Sequence, residues 1–244
     1  MSTVVECQSL SVQYGDFRAL YDFNLQLPAG RATVLVGPNG AGKSSCLKVL
    51  AGLESESEGL VQVLGHRPRS APRTWRASIG VMPEHLGLFD ALTIEEHLQL
   101  SAQLYHLDPK SAPARISALL QTLGLDEGKS RFAAACSYGM RKKTAFALAL
   151  LHAPKLLILD EPFEGLDPAS CETVLALLNE LKRRGVALIV SSHMLMHVER
   201  LADEILLLDG GRVVWRSESK SEGELRAHYL DVVKARPLPA LEWY

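Results

Sequence analysis

Residues 37 to 44 read GPNGAGKS, a match to G-x-x-x-x-G-K-[ST], and the setting of this octapeptide constrains the fold more than any other feature. The run RATVLVG before it is short, β-rich and ends in glycine, while CLKVLAGL after it has helical periodicity closed by Gly52. A strand that turns through glycines into a helix aims backbone N–H groups and the positive helix end at one point, which is a seat for phosphate. Gly40 and Gly42 let the chain turn that tightly. Lys43 can place its ammonium between the outer two phosphates of a nucleoside triphosphate, and the Ser44 hydroxyl can ligate Mg²⁺.

The rest of the chain supplies partners for such a loop. LLILDEP (Leu156 to Pro162) is four apolar residues followed by two carboxylates at the C-terminal end of a strand, where α/β sheets place their ligands. Asp160 suits a Mg²⁺ position, and Glu161, one residue on, can orient or deprotonate a water facing the terminal phosphate. IVSSHM puts His193 directly after another buried strand, within reach of the same sheet edge, where an imidazole can hydrogen-bond that phosphate. His197 stands at the i+4 spacing of a helical metal pair, but no third zinc ligand follows it in a clear pattern.

Alternation of pattern along the chain gives the fold class. VVECQSLSVQY, FNLQLPAG and LVQVLG read as short antiparallel strands. TIEEHLQLSAQLYHL and ARISALLQTLGL read as amphipathic helices broken by Asp108, Pro109 and Pro113, which makes roughly residues 87 to 150 a helical insertion. Strand and helix then alternate through KLLILD, PASCETVLALLNELKRRG, VALIVSS and MLMHVERLA, which calls for a parallel sheet with crossover helices. EILLLDGGRVVW reads as a hairpin turning at Asp209, Gly210 and Gly211, and SEGELRAHYLDVV as one helix in the tail.

Bulk composition bounds the partners. The 244 residues carry a formal net charge of -2, so no basic face for nucleic acid is expected. Cys7, Cys46, Cys136 and Cys171 are scattered without a C-x-x-C spacing, and read as free thiols of a reducing compartment. The start lacks a basic segment followed by an apolar run, and no stretch approaches the roughly 18 apolar residues of a membrane span. The expectation is a soluble cytoplasmic chain.

Taken together these motifs resemble the ATP-binding subunit of ABC transporters, over nearly the whole chain. GPNGAGKS looks like the Walker A motif of that family, LLILDEP its Walker B with the following catalytic glutamate, GLDP (Gly165 to Pro168) its D-loop and His193 its switch histidine. CSYGM (Cys136 to Met140) aligns with the signature L-S-G-G-Q, matching at Ser137 and Gly139 and departing at Cys136, Tyr138 and Met140. IGVMPEHLGLF occupies the place of the Q-loop, with Glu84 where glutamine is usual. VQYG offers Tyr14 as the aromatic that stacks on adenine. The SYGM form resembles a branch whose membrane partners often export drugs, lipids, polysaccharides or ions.

The resemblance implies a P-loop α/β core with an antiparallel β subdomain and a helical signature subdomain, forming an ATP-binding domain over residues 1 to 216 with a tail over 217 to 244. It implies a dimer, of identical or closely homologous subunits, that closes on two molecules of ATP with Mg²⁺ and is docked on an integral membrane permease at the cytoplasmic face of the membrane. One subunit would supply Tyr14, the loop Gly37, Pro38, Asn39, Gly40, Ala41, Gly42, Lys43, Ser44 and Ser45, then Glu84, Asp160, Glu161 and His193. Its partner would supply Ser137 and Gly139, and Asp167 would lie at the interface. Leu86, Leu88, Phe89 and Leu92 are either an apolar patch for the permease or part of the subdomain's own core. Arg141, Lys142 and Lys143 are expected on a solvated helix face, although acids are what a first helical turn prefers. The alternatives are a soluble ABC ATPase of the DNA-repair or translation type, a P-loop GTPase or kinase, or a nucleotide-binding module without turnover. A second cassette, long coiled coil or basic extension and an N-K-x-D motif are absent, and Glu161 and His193 are present.

Overall fold

Residues 2–218 and 224–233 are described by the computed structural model. The chain opens with two long strands, β1 (Thr3–Tyr14) and β2 (Phe17–Pro28), then β3 (Ala32–Val36) and α1 (Lys43–Leu50). Strand β4 (Glu58–Val63), the short helix α2 (Arg73–Arg76) and strand β5 (Ile79–Met82) come next. Three helices follow without an intervening strand: α3 (Ile94–Leu104), α4 (Ala112–Thr122) and α5 (Tyr138–Leu150). Strand β6 (Leu156–Asp160), α6 (Pro168–Arg183), β7 (Ala187–Ser191) and α7 (Leu195–Leu201) lead to the hairpin β8 (Glu204–Asp209) and β9 (Arg212–Ser217). A helix α8 (Glu224–Val232) ends the described part, and KARPLPALEWY lies outside the described residues.

A three-stranded antiparallel sheet, in the order β2-β1-β4, covers a six-stranded sheet in the order β5-β6-β7-β3-β8-β9. The larger sheet is parallel except for β9, which returns antiparallel to β8 through Gly210 and Gly211. Its central strands are buried on both faces, and side chains divide by the period of two. Val34, Leu157, Leu159, Leu188, Val190 and Leu207 point into the core on the helical side. Their neighbours Leu35, Leu156, Ile158, Ile189, Leu206 and Leu208 point into a second core shared with α1 and the antiparallel sheet. Strand runs such as LLIL and ALIV are therefore continuously apolar because both faces need apolar cover.

Two local details differ from the sequence reading. Pro113 does not break a helix but opens one, at the first turn of α4, where its missing N–H would have had no partner. Ile79–Met82, inside the stretch assigned to the Q-loop, is the edge strand β5, paired in parallel with β6. Gly80 makes that strand possible, because a Cβ there would stand 2.1 Å from the Ala149 carbonyl oxygen of α5. The start of α3 follows its sequence signal closely. Thr93 accepts from the Glu96 backbone N–H while Glu96 accepts from that of Thr93, a capping box that satisfies two otherwise orphan donors. All four cysteines are free, and among the described residues no helix is long and apolar enough to cross a membrane.

Candidate active site

The turn between β3 and α1 closes over a cavity of about 390 Å³ lined by Phe17, Ala19, Asn39, Gly40, Ala41, Gly42, Lys43, Ser44, Ser45, Glu84, Asp160 and Glu161. β3 sits between β7 and β8 in the middle of the sheet, so its C-terminal end meets the ends of β6 and β7. Gly42 has φ +97°, and a Cβ on it would stand 2.4 Å from the Ala19 carbonyl oxygen, so the loop can press against β2 only with glycine there. Lys43 is 7% exposed, and its ammonium donates to the carbonyl oxygens of Gly37 (2.7 Å) and Pro38 (3.1 Å). Burial pushes its pKa below the ordinary lysine value, against the attraction of Glu161, Asp160 and Glu84. A partly desolvated cation beside a ring of backbone N–H groups is an anion seat.

Ser191 ties together the two acidic residues at the end of β6. Its hydroxyl donates to Asp160 Oδ1, and Ser191 Oγ in turn accepts from the Glu161 backbone N–H at 2.9 Å. The chain turns sharply there, since Glu161 has φ +50°, a left-handed conformation costing a non-glycine residue on the order of 1–2 kcal/mol. The turn brings the Glu161 carboxylate to His193: Oε2 lies 2.9 Å from Nδ1 and accepts from the His193 backbone N–H at 3.2 Å. His197 takes no part in a metal pair; it is buried with its ring edge against Phe163, the centroids 4.8 Å apart. Two carboxylates and a hydroxyl, from Asp160, Glu84 and Ser44, form a hard oxygen set that fits Mg²⁺.

Other candidate residues stand apart from the cavity. Tyr14 is not among its lining residues, whereas Phe17, its direct cross-strand partner in the β1–β2 hairpin, is. Directly opposed residues project to the same face of a sheet, so the two aromatics neighbour each other at the cavity's rim. Asp167 caps α6, accepting from the Ser170 backbone N–H (2.9 Å) and hydroxyl (2.6 Å). Ser137 and Gly139 also lie outside the cavity. Ser137 is exposed and caps α5, its Oγ accepting from the Met140 N–H at 3.2 Å.

Two of the cations after Ser137, Arg141 and Lys142, are tied to other loops and not simply solvated. Arg141 donates to Asp90 Oδ1 at 2.8 Å and to the Ala133 carbonyl at 3.0 Å. Lys142 is 1% exposed, with Nζ 3.7 Å from Glu164 Oε2. Hydrogen bonds from Ser170 hold the Asp167 carboxyl below the usual carboxylate range, and the Lys143 ammonium adds to that effect. Arg141 and Lys142 thus each face a different acid, on two loops distant in sequence. Asp90 lies in the Leu86–Leu92 stretch, where Leu86, Leu88 and Leu92 are half-buried and Phe89 is 61% exposed. His97 fastens that stretch, its Nε2 accepting from the Phe89 N–H (2.9 Å) while Nδ1 faces the Thr93 carbonyl (2.7 Å).

The family model described as ABC transporter matches residues 20–164, more than half of the chain. The chain belongs to the ABC transporter family. It is an ATP-binding ATPase of that family. Among its relatives, the bacitracin transport ATP-binding protein BcrA of Enterococcus faecalis is 33% identical over 88% of this chain and 69% of the relative. A solved structure described as the ATP binding subunit of an ABC transporter is 33% identical, with a TM-score of 0.86 over 95% of this chain and all of that one. The dimeric structure of a bacterial ABC transporter cassette shares the fold, at 24% identity and a TM-score of 0.81 over 87% of this chain and 97% of that one.

Two residues of this ABC ATPase site escaped the sequence reading. Ser191, which holds the Asp160 carboxylate and the Glu161 backbone N–H, was visible only as the serine two residues before His193 in IVSSHM. Phe17 opens β2 with one aromatic at an edge, a position that no periodicity distinguishes from packing.

Proposed function

We propose that this ABC ATPase acts as a dimer that closes on two molecules of ATP and drives export through a separate membrane-embedded permease, from the cytoplasmic face. The observation that carries this reading is a division of the site. Lys43, Glu84, Asp160 and Glu161 share one cavity, while Ser137, exposed, and Gly139, half-buried, stand at a helix N-terminus outside it. A helix N-terminus with a hydroxyl cap is suited to a phosphate, and a second subunit can bring one. The dimeric relative supports that arrangement, and the relative named for bacitracin transport supports transport as the output.

In this reading Lys43 and the N–H groups of the loop Gly37–Ser45 bind the phosphates, and Tyr14 and Phe17 hold the base. Ser44, Asp160 and Glu84 would hold Mg²⁺, which when bound neutralises phosphate charge. Glu161 accepts a proton from the attacking water, and His193 fixes the Glu161 carboxylate and can turn to the terminal phosphate. Asp167 lies at the subunit interface. Splitting each site between two chains makes closure depend on ATP, because Ser137 and Gly139 favour the ATP-bound state over the hydrolysed one. Phe89, exposed and held in place by His97 and Asp90, is the centre of the surface that would receive a cytoplasmic helix of the permease.

The decisive variant is Glu161→Gln. It should bind ATP as the parent does, lose nearly all hydrolysis and populate an ATP-dependent dimer in sedimentation velocity. Hydrolysis at the parent rate would remove Glu161 from its role, and a variant monomeric at saturating ATP would remove the two-subunit site. Affinity purification from detergent-solubilised membranes tests the permease, with a polytopic membrane protein as the expected companion.

A further inference from the structure

The first turn of α5 is seated on the turn that follows β6. The Tyr138 ring covers Gly165 so closely that a Cβ there would stand 2.4 Å from Cδ1 and 2.5 Å from Cε1. One helical turn on, Lys142 carries its ammonium into the same contact, 3.4 Å from the Tyr138 hydroxyl and 5.4 Å from its ring centroid. An ammonium removed this completely from water needs a counter-charge, and Glu164, 3.7 Å away, is the acid paired with it. The receiving turn is itself tight. The Glu164 N–H donates to the Glu161 carbonyl and the Leu166 N–H to the Phe163 carbonyl, each at 3.3 Å. A continuous run of contacts therefore joins α5 at Ser137, through Tyr138 and Lys142, to Glu164 and Gly165, and from there to the backbone of Glu161.

We propose that Tyr138 and Lys142 are positioning residues that link the two ATP sites of the dimer. Ser137 at the tip of α5 meets the ATP held by the partner subunit, and the grip on Glu164 and Gly165 conveys that occupancy to Glu161 in the subunit's own site. This rests on the two-subunit reading above. It also gives one departure from the signature pattern a task, since the Tyr138 ring packs on Gly165 and meets the Lys142 ammonium that pairs with Glu164.

Lys142→Met keeps length and removes the charge, and Glu164→Gln keeps shape at a half-exposed position where folding is not at stake. Steady-state hydrolysis is measured against ATP concentration for the parent, both single variants and the double variant. Binding of a fluorescent ATP analogue to the monomer is followed alongside. The parent should show a Hill coefficient above 1, and each variant a value near 1, with monomer affinity within about twofold of the parent. The double variant should match the singles, as expected for two halves of one interaction. Unchanged cooperativity in both single variants overturns the link, and so does a loss of cooperativity matched by an equal loss of monomer affinity. An ATP-dependent dimer in Glu161→Gln together with unchanged cooperativity sinks the link alone, whereas no dimer at all sinks the two-subunit reading and the link with it.

Discussion

Replacing Ser137 by aspartate separates the two tasks its hydroxyl is assigned. As a helix cap, Ser137 accepts from the Met140 N–H at 3.2 Å with the extended backbone a cap requires. Serine to alanine at such a position costs about 1 kcal/mol, and aspartate caps as well as serine. The aspartate also gains about 0.3–1 kcal/mol from the helix dipole. In a chain of this size Ser137→Ala should therefore melt about 2–4 °C below the parent, and Ser137→Asp at or above it. Closure should respond in the opposite order. A hydrogen bond to a charged acceptor is worth about 1.5–3 kcal/mol, and a dimer with two equivalent sites loses it twice, so Ser137→Ala should weaken the ATP-bound dimer by about two to four powers of ten. Aspartate adds repulsion from the phosphate, on the order of 4 kcal/mol per site at 4 Å and an effective dielectric near 20. Both substitutions belong in the Glu161→Gln background, with dimer formation followed by sedimentation velocity and stability by calorimetry. A Ser137→Asp variant that melts like the parent and dimerises like it would show that the residue is a cap and nothing more.

Three further outcomes follow from local geometry. Gly80→Ala should destabilise the fold by about 1–3 kcal/mol, the usual cost of overpacking, because its Cβ would meet the Ala149 carbonyl oxygen at 2.1 Å and Leu157 Cδ2 at 2.6 Å; an unchanged urea midpoint would contradict the tight seat of β5 on α5. His152 and His197 are both held below the ordinary histidine pKa, chiefly by burial, so the unfolded chain takes up their protons first. Stability should be full above about pH 6.5 and decline as the pH falls through that value toward the folded pKa values, and His197→Leu should flatten that decline; an unaltered slope would remove His197 from the account. Phe17→Ala should weaken ATP by about 1–3 kcal/mol while leaving inorganic triphosphate binding unchanged, and equal losses for both ligands would mean that Phe17 supports the loop rather than the base.

What could be read from the sequence was whatever is local in the chain. The phosphate loop declares itself because turn, lysine and hydroxyl are eight consecutive residues, and the strand LLILD declares itself because both of its faces are buried. The β8–β9 hairpin is announced by Asp209, Gly210 and Gly211, and the start of α3 by Thr93 and Glu96. Pairings across the chain were not legible. Arg141 and Lys142 look like part of a solvated run because their acids, Asp90 and Glu164, are tens of residues away in two loops. The edge strand at Ile79–Met82 is four residues long and contains a glycine, too little for a periodicity of two to register. Pro113 was ambiguous for the same reason: a proline before a helix and one inside its first turn differ by the position of a single missing bond.

The pairing of Arg141 and Lys142 bears on how two subunits would find each other. A run of bare positive charge beside Ser137 would draw a partner's nucleotide from a distance of about one Debye length, roughly 8 Å at physiological ionic strength, and the approach would slow as salt was raised. Here Arg141 and Lys142 are each paired with an acid of their own chain, so the net field that projects outward from that turn is reduced. Attraction is left to short-range partners, the Ser137 hydroxyl and the free N–H groups of the first turn, which act only at contact. Encounter would then be only weakly steered and weakly dependent on ionic strength, and selection between nucleotide states would happen in the last few ångströms.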